Sequence, residues 1–210
     1  MIPKILHYCW FGPHTLPKIA IRCINSWKKK CPDLQIMLWN EQNFDVHKHP
    51  YTSCFYTGRV YAPVTDYVRA TALYKYGGIY LDTDVLLKND ISHICDSDAD
   101  VIFQLAPEGD LATYMCASAP HSDFIENWII CMNAAITADT IHVDKNFIDT
   151  YNGMDILNRM VLQDYDTFNS TDEMCSYYNL QLLPHTFISN KIYSIGEYGV
   201  HLNLNDWGKR

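Results

Sequence analysis

The stretch GGIYLDTDV, residues 77–85, sets Asp82 and Asp84 one residue apart at the end of a hydrophobic run. If the backbone stays extended, the two-residue period of a strand puts both carboxylates on one face, with Tyr80 behind them. Two anions aimed the same way repel unless a cation or hydroxyl groups intervene. Hard oxygen ligands of this kind suit Mg²⁺ or Mn²⁺, ions that keep open positions a diphosphate can fill. The alternative is a water-exposed strand end, because D-x-D is a weak pattern. The chain repeats it at Asp96 and Asp98, at Asp98 and Asp100, and at Asp164 and Asp166, so at least three of the four copies mean something else. The run DSDAD fits a solvated turn and lacks the central Gly and terminal Glu of an EF-hand loop. Location sets Asp82 and Asp84 apart: they follow a Gly-Gly junction and three strand residues, at the carboxyl edge where open α/β sheets hold ligands.

A second charged pair precedes them. In PVTDYVRATALYKYGG, Asp66 and Arg69 are three apart and share a helical face with Leu73 and Tyr76, which carries charge toward whatever that face meets. The competing reading is an ordinary surface ion pair worth a few tenths of a kcal/mol.

The elements that must position these groups alternate from the start. PKILHYCW reads as a strand closing at Gly12-Pro13, a helix follows from about Leu16 to Lys30, and LQIMLW is a short buried strand. This βαβ opening predicts an α/β fold with a parallel or mixed sheet covered by helices. Pro63 suits the first turn of a helix that runs to about Tyr76 and stops at Gly77-Gly78. Further strands are expected at DVIFQL, ATYMCAS and LQLLP, and a helix at HSDFIENWIICMNAAI. Residues 165–200 are rich in Tyr and Asn and otherwise aperiodic.

A chain of 210 residues with 48% hydrophobic content can bury one full-sized core, which predicts a single domain over residues 1–210. The net charge of -8 argues against nucleic acid as a partner, since such binders concentrate Lys and Arg on one face. The basic run Lys28-Lys29-Lys30 ends a helix, where cations complement the helix dipole; docking to an anionic membrane is the lesser alternative. No stretch approaches the roughly 18 continuous apolar residues of a membrane span, and the amino terminus lacks a secretory cleavage pattern. A cytoplasmic protein is expected. Eight scattered cysteines with no CxxC pair read as reduced thiols, most of them buried.

Taken together, IPKILHYCWFG, LPKIAIRCINSWKKKCPDLQIMLWNEQNF, APVTDYVRATALYKYGGIYLDTDV and the terminal VHLNLNDW resemble the DXD glycosyltransferases of the GT-A fold. Among these they are similar to family 32, with capsular-polysaccharide and initiating mannosyltransferase enzymes and the catalytic domains of large clostridial toxins as relatives. The likeness is good over residues 1–90 and loose at the end; D-x-x-R, a Gly pair and Y-x-D-x-D in succession make it specific. It implies a nucleotide-sugar donor, UDP-linked, a glycan acceptor, and Mn²⁺ or Mg²⁺. Asp84 would bind the metal directly, and Asp82 would contact the ribose or the donor-sugar hydroxyls. Trp10 would stack on uracil, Cys9 would add backbone contacts, Asp66 and Arg69 would order the ribose and donor sugar, and Tyr80 would line the same pocket. On composition alone, Trp10 is a core residue at a strand end.

The family commonly ends in H-H-x-x-G-S-W. Here His201 and Trp207 keep that spacing, while Leu202, Asn205 and Asp206 replace the second His, the Gly and the Ser. The resemblance implies His201 as a metal ligand, with Asn205 as an alternative, and Trp207 as a cap over the donor phosphates. A family Asn in the middle section has no clear match in GDLATYMCAS, which leaves Asp110 or Thr113 to serve. The end at Arg210 is what a domain cut from a longer chain would have. Two other classes compete: a metal-dependent phosphoesterase or nucleotide-sugar hydrolase, which needs more clustered ligands, and a non-catalytic carbohydrate-binding module built on the 15 Tyr and 5 Trp. Retention of configuration is implied by the family, and no carboxylate base for inversion can be assigned.

Overall fold

A computed structural model describes residues 1–107, 109–136, 143–167, 170–189 and 196–202, with the backbone alone over 162–167. The chain opens with strand β1 (Ile5–Cys9), helix α1 (Lys18–Lys30) and strand β2 (Gln35–Trp39). Helices α2 (Pro50–Thr57) and α3 (Tyr61–Tyr76) then lead into strands β3 (Gly78–Leu81) and β4 (Val85–Leu87). After a short 3-10 helix at Ser92–Asp96 come β5 (Val101–Leu105), β6 (Leu111–Ser118) and α4 (Asp123–Ala135). The remainder is α5 (Lys145–Tyr151), α6 (Gly153–Thr167), α7 (Thr171–Tyr177), β7 (Leu180–Leu183), β8 (Ile188–Ser189) and β9 (Gly199–His201).

Six strands form one mixed sheet in the order β2-β1-β3-β6-β5-β7, in which β6 alone runs against its neighbours. The α/β fold with a mainly parallel sheet is therefore as expected. Strand β2 differs from expectation: it is an edge strand paired only to β1, and just Trp39 is fully buried. The alternation of strand side chains splits the core in two. Cys9, Tyr80, Phe103 and Cys116 face α3, α4 and α6. Leu6, Tyr8, Ile79, Leu81, Ile102 and Met115 face the side covered by α1.

Helix α1 begins two residues later than Leu16 because Pro17 occupies its N-cap, and it ends on the three lysines. Its buried face is pinned to the strand beyond the acidic pair: Trp27 Nε1–H donates to Val85 O at 2.6 Å, and Leu87 N–H to Ser26 Oγ at 3.0 Å. Between α3 and β3 the chain turns at Gly78, whose φ of +104° and approach to Ile5 O leave no room for a Cβ. The buried His7 locks this junction. Trp39 Nε1–H donates to its Nδ1 at 3.1 Å, which fixes the proton on Nε2, bonded to Gly77 O at 2.8 Å. Burial pushes the His7 pKa down, consistent with a neutral structural imidazole.

All eight cysteines are free thiols. Five of them are buried, and burial raises Cys23 and Cys116 each to about 12, which makes them poor nucleophiles. No helix among the described residues is long and apolar enough to cross a membrane.

Candidate active site

The acidic pair does not sit on an extended strand. Strand β3 stops at Leu81, and residues 82–85 make a tight turn in which Val85 N–H donates to Asp82 O at 3.0 Å. The turn, not a two-residue alternation, brings the carboxylates together. It is held from both sides: Asp82 N–H donates to Tyr114 O at 2.9 Å and Leu202 N–H to Asp84 O at 3.0 Å.

The third member arrives from 117 residues further along the chain. A three-stranded sheet, β4-β9-β8, pairs Val85 with His201 and sets the imidazole over the turn. His201 Nε2 lies 3.1 Å from Asp84 Oδ1. One ligand atom from each of Asp82, Asp84 and His201 falls within 4.8 Å of the others. The Tyr114 ring stacks on His201 at 4.3 Å. This small sheet is tied to the large one through Gln104, whose Nε2 donates to Ile188 O at 2.8 Å and whose Oε1 accepts from Ile188 N–H at 3.0 Å.

Behind Asp82 stands a buried charge relay. Arg69, 2% exposed, donates from Nη2 to Asp82 Oδ1 at 2.8 Å and from Nη1 to Thr113 O at 2.6 Å. Its Nη1 is also 3.3 Å from Asp66 Oδ1, and its guanidinium lies 4.2 Å over the Tyr80 ring. The surface ion-pair reading of Asp66 and Arg69 fails because both are buried. A buried ion pair is weak support for stability, since desolvation offsets most of the attraction. An arrangement of this kind is better understood as fixing Asp82.

Asp66 is clamped in turn by the start of α6, where Gly153 N–H donates to Asp66 Oδ2 at 3.1 Å. A Cβ on Gly153 would fall 2.3 Å from Asp66 Cβ, so only glycine fits. Trp128 Nε1–H holds the same residue from the other side, on Gly153 O at 2.8 Å. Burial pushes the Asp66 carboxyl up to about 6, opposed by Arg69 and the Gly153 N–H and assisted by the Asp82 charge.

The sign of that shift gives a stability prediction. Between about pH 4 and pH 6 the folded chain holds a proton on Asp66 that the unfolded chain has released. Stability from this group therefore falls as pH rises through that window, by up to about 3 kcal/mol. Asp66→Asn keeps an acceptor for Gly153 N–H without the charge. In urea titrations it is expected to match the parent at pH 4 and exceed it at pH 7; a variant weaker than the parent at pH 7 contradicts this account.

The other sequence-derived candidates fall as follows. Trp10 is half-buried just beyond the end of β1, its Nε1–H donating to His14 O at 2.6 Å. Cys9 is wholly buried, which leaves its backbone to serve a ligand. Tyr80, 1% exposed, lies with its ring under the Arg69 guanidinium at 4.2 Å. Thr113 contributes its carbonyl to Arg69, while Asp110 is exposed and its carbonyl accepts from Ala106 N–H at 2.7 Å. Asn205 and Trp207 lie outside the described residues. Asp96, Asp98 and Asp100 are exposed around the end of the 3-10 helix, as a solvated turn requires. Sequence reasoning did not find Gly153 or Tyr114. The apolar spacing of Ile156, Leu157, Met160 and Val161 would have signalled α6, and with it a helix start at Gly153.

A mainly parallel sheet with a D-x-D turn at the carboxyl end of a central strand is the GT-A fold, and the relatives of this chain in sequence and in fold are glycosyltransferases. Residues 17–101 match the family described as the glycosyltransferase sugar-binding region containing the DXD motif. Over 88 residues, 40% of its length, the chain is 35% identical to inositol phosphoceramide mannosyltransferase 3 of Schizosaccharomyces pombe, and it spans about a quarter (24%) of that protein. In fold it is similar to the solved PaToxG glycosyltransferase, with a TM-score of 0.61, 16% identity, and coverage of 84% of this chain and 75% of that one. It is also similar to the apo-form glycosyltransferase GlyE of Streptococcus pneumoniae TIGR4, with a TM-score of 0.50, 11% identity, and coverage of 89% and 46%.

Proposed function

We propose that the chain is a metal-dependent glycosyltransferase that moves a hexose from a nucleotide sugar, UDP-linked, to a hydroxyl of a glycan acceptor in the cytoplasm. The observation that carries this reading is the convergence of Asp82, Asp84 and His201 within 4.8 Å, on a turn whose first acid is held by a buried arginine. Two carboxylates and an imidazole suit Mn²⁺ or Mg²⁺. Asp84 and His201 would hold the ion, with Asn205 as a further ligand. When bound, the ion supplies electrostatic stabilisation to the departing diphosphate.

The remaining groups of the chain orient the donor. Arg69 occupies Asp82 Oδ1 and so fixes that carboxylate, leaving its other oxygen to accept from a ribose or sugar hydroxyl. Asp66 and Tyr80 hold Arg69 in place; Trp10 would stack on the base, and Trp207 would cap the donor phosphates. Desolvation around this relay strengthens each hydrogen bond to the sugar and keeps the positions set before the donor arrives.

The test is calorimetric titration of UDP, UDP-glucose and GDP-mannose into the protein, first with Mn²⁺ and then with EDTA, followed by an assay for sugar release with and without a glycan. Metal-dependent binding of a uridine ligand is expected. Failure of every nucleotide to bind with metal present would remove the transferase reading and leave a carbohydrate-binding module. Hydrolysis undiminished by any acceptor would favour a nucleotide-sugar hydrolase.

A further inference from the structure

Charge is distributed unevenly along this acidic chain. Residues 1–32 contain six basic residues and no Asp or Glu, so the other 178 residues, with ten basic and 24 acidic side chains, carry a net charge of -14. Five of the six cations belong to α1. Lys18, Arg22 and Lys29 fall on one line of the helix together with Asn25, Lys28 flanks that line, and all are exposed. Ile21, among the few large apolar side chains left in water at 46% exposure, lies within the same stripe. None of these cations forms an ion pair among the described residues, although acids outnumber bases. Dipole complementation accounts for Lys28, Lys29 and Lys30 in the last turn but not for Lys18 and Arg22 in the first two.

The opposite face of α1 is the one packed on the acidic turn. Trp27 bonds Val85, next to Asp84, and Cys23 lies within electrostatic reach of Asp84. A surface lying against the basic stripe would therefore be about one helix diameter, roughly 10 Å, from the wall of the candidate site.

We propose that the exposed face of α1 docks the protein on an anionic lipid bilayer, with Lys18, Arg22, Lys28 and Lys29 against the headgroup phosphates and Ile21 entering the interface. A continuous stripe of cations around one apolar side chain on a helix is what binds acidic headgroups in the interfacial plane. The strong negative charge elsewhere would orient the protein by repelling every other face.

The experiment is sedimentation of the 210-residue chain with vesicles of phosphatidylcholine alone and of phosphatidylcholine containing 30% phosphatidylserine, at low and at raised salt. Binding about tenfold or more stronger to the anionic vesicles, and reversed by salt, is expected. The variant Lys18→Gln, Arg22→Gln, Lys28→Gln, Lys29→Gln should lose that preference while keeping its melting temperature and its nucleotide binding. A control that removes four charges elsewhere, Lys48→Gln, Arg59→Gln, Lys75→Gln and Lys145→Gln, should keep it. Equal binding to both vesicle types, or equal loss in the control, overturns the proposal. So does a fall in molecular mass on gel filtration that is specific to the α1 variant, which would place an acidic face of a second copy on the stripe instead.

Discussion

Asp84→Ala is expected to abolish metal-dependent binding of uridine ligands, by at least about 100-fold, since losing even an outer-shell partner of a metal typically costs 10–100-fold. The side chain lies in a turn at the edge of the core and is only partly enclosed, and its Oδ1 lies 3.1 Å from His201 Nε2. The turn itself is held by backbone bonds, Val85 N–H to Asp82 O and Leu202 N–H to Asp84 O, which the substitution leaves in place. The melting temperature should accordingly move little. Asp98→Ala, in an exposed copy of the same D-x-D pattern, should alter neither binding nor stability. Calorimetry with Mn²⁺ and thermal unfolding of both variants make the comparison, and undiminished uridine binding by Asp84→Ala would remove this turn from the donor site.

The second large effect is expected far from the motif. Gly153→Ala forces a methyl group to within 2.3 Å of Asp66 Cβ in a region closed by Trp128 and Arg69. Neither side can yield easily: Gly153 is fixed by bonds through its carbonyl and its N–H, and Asp66 sits in the middle of α3. Overpacking of this kind costs about 1–3 kcal/mol, and displacement of a buried, charge-paired carboxyl adds to it. A loss of about 3 kcal/mol in denaturant titrations is expected, together with loss of donor binding as Arg69 and Asp82 shift. Asp66→Gly, which removes the opposing Cβ, should recover part of that stability in the double variant while donor binding stays lost. Strictly additive losses would show that the two residues do not press on each other.

Much of this site is written locally. The helix stop at Gly77, the Gly-Gly junction, the strand IYL and the position of Asp82 and Asp84 at its carboxyl end follow from φ preferences and hydrophobic runs, which act over a few residues. The shared face of Asp66 and Arg69 follows from helical periodicity. The D-x-x-R, Gly-Gly and Y-x-D-x-D succession, together with the βαβ opening, was enough to indicate the GT-A fold. The amphipathic spacing of α1 likewise sets which residues face the core.

Tertiary structure decided the rest. Whether Asp66 and Arg69 are a solvated pair or a buried relay depends on what covers α3, and the answer came not only from β3, the next element in the chain, but from β6 and α6, which are remote in sequence. That the two acids converge through a turn, and not by strand alternation, is set by bonds to Tyr114 O and from Leu202 N–H, 32 and 118 residues beyond the positions they hold. The place of His201 depends on a three-residue strand pairing across more than a hundred residues, and short strands in aperiodic sequence carry little local signal. Gly153 reads as an ordinary glycine before a helix until Asp66 is found against it. Local rules fix which residues can do chemistry, and long-range packing, whose closure no short window encodes, fixes which of them meet.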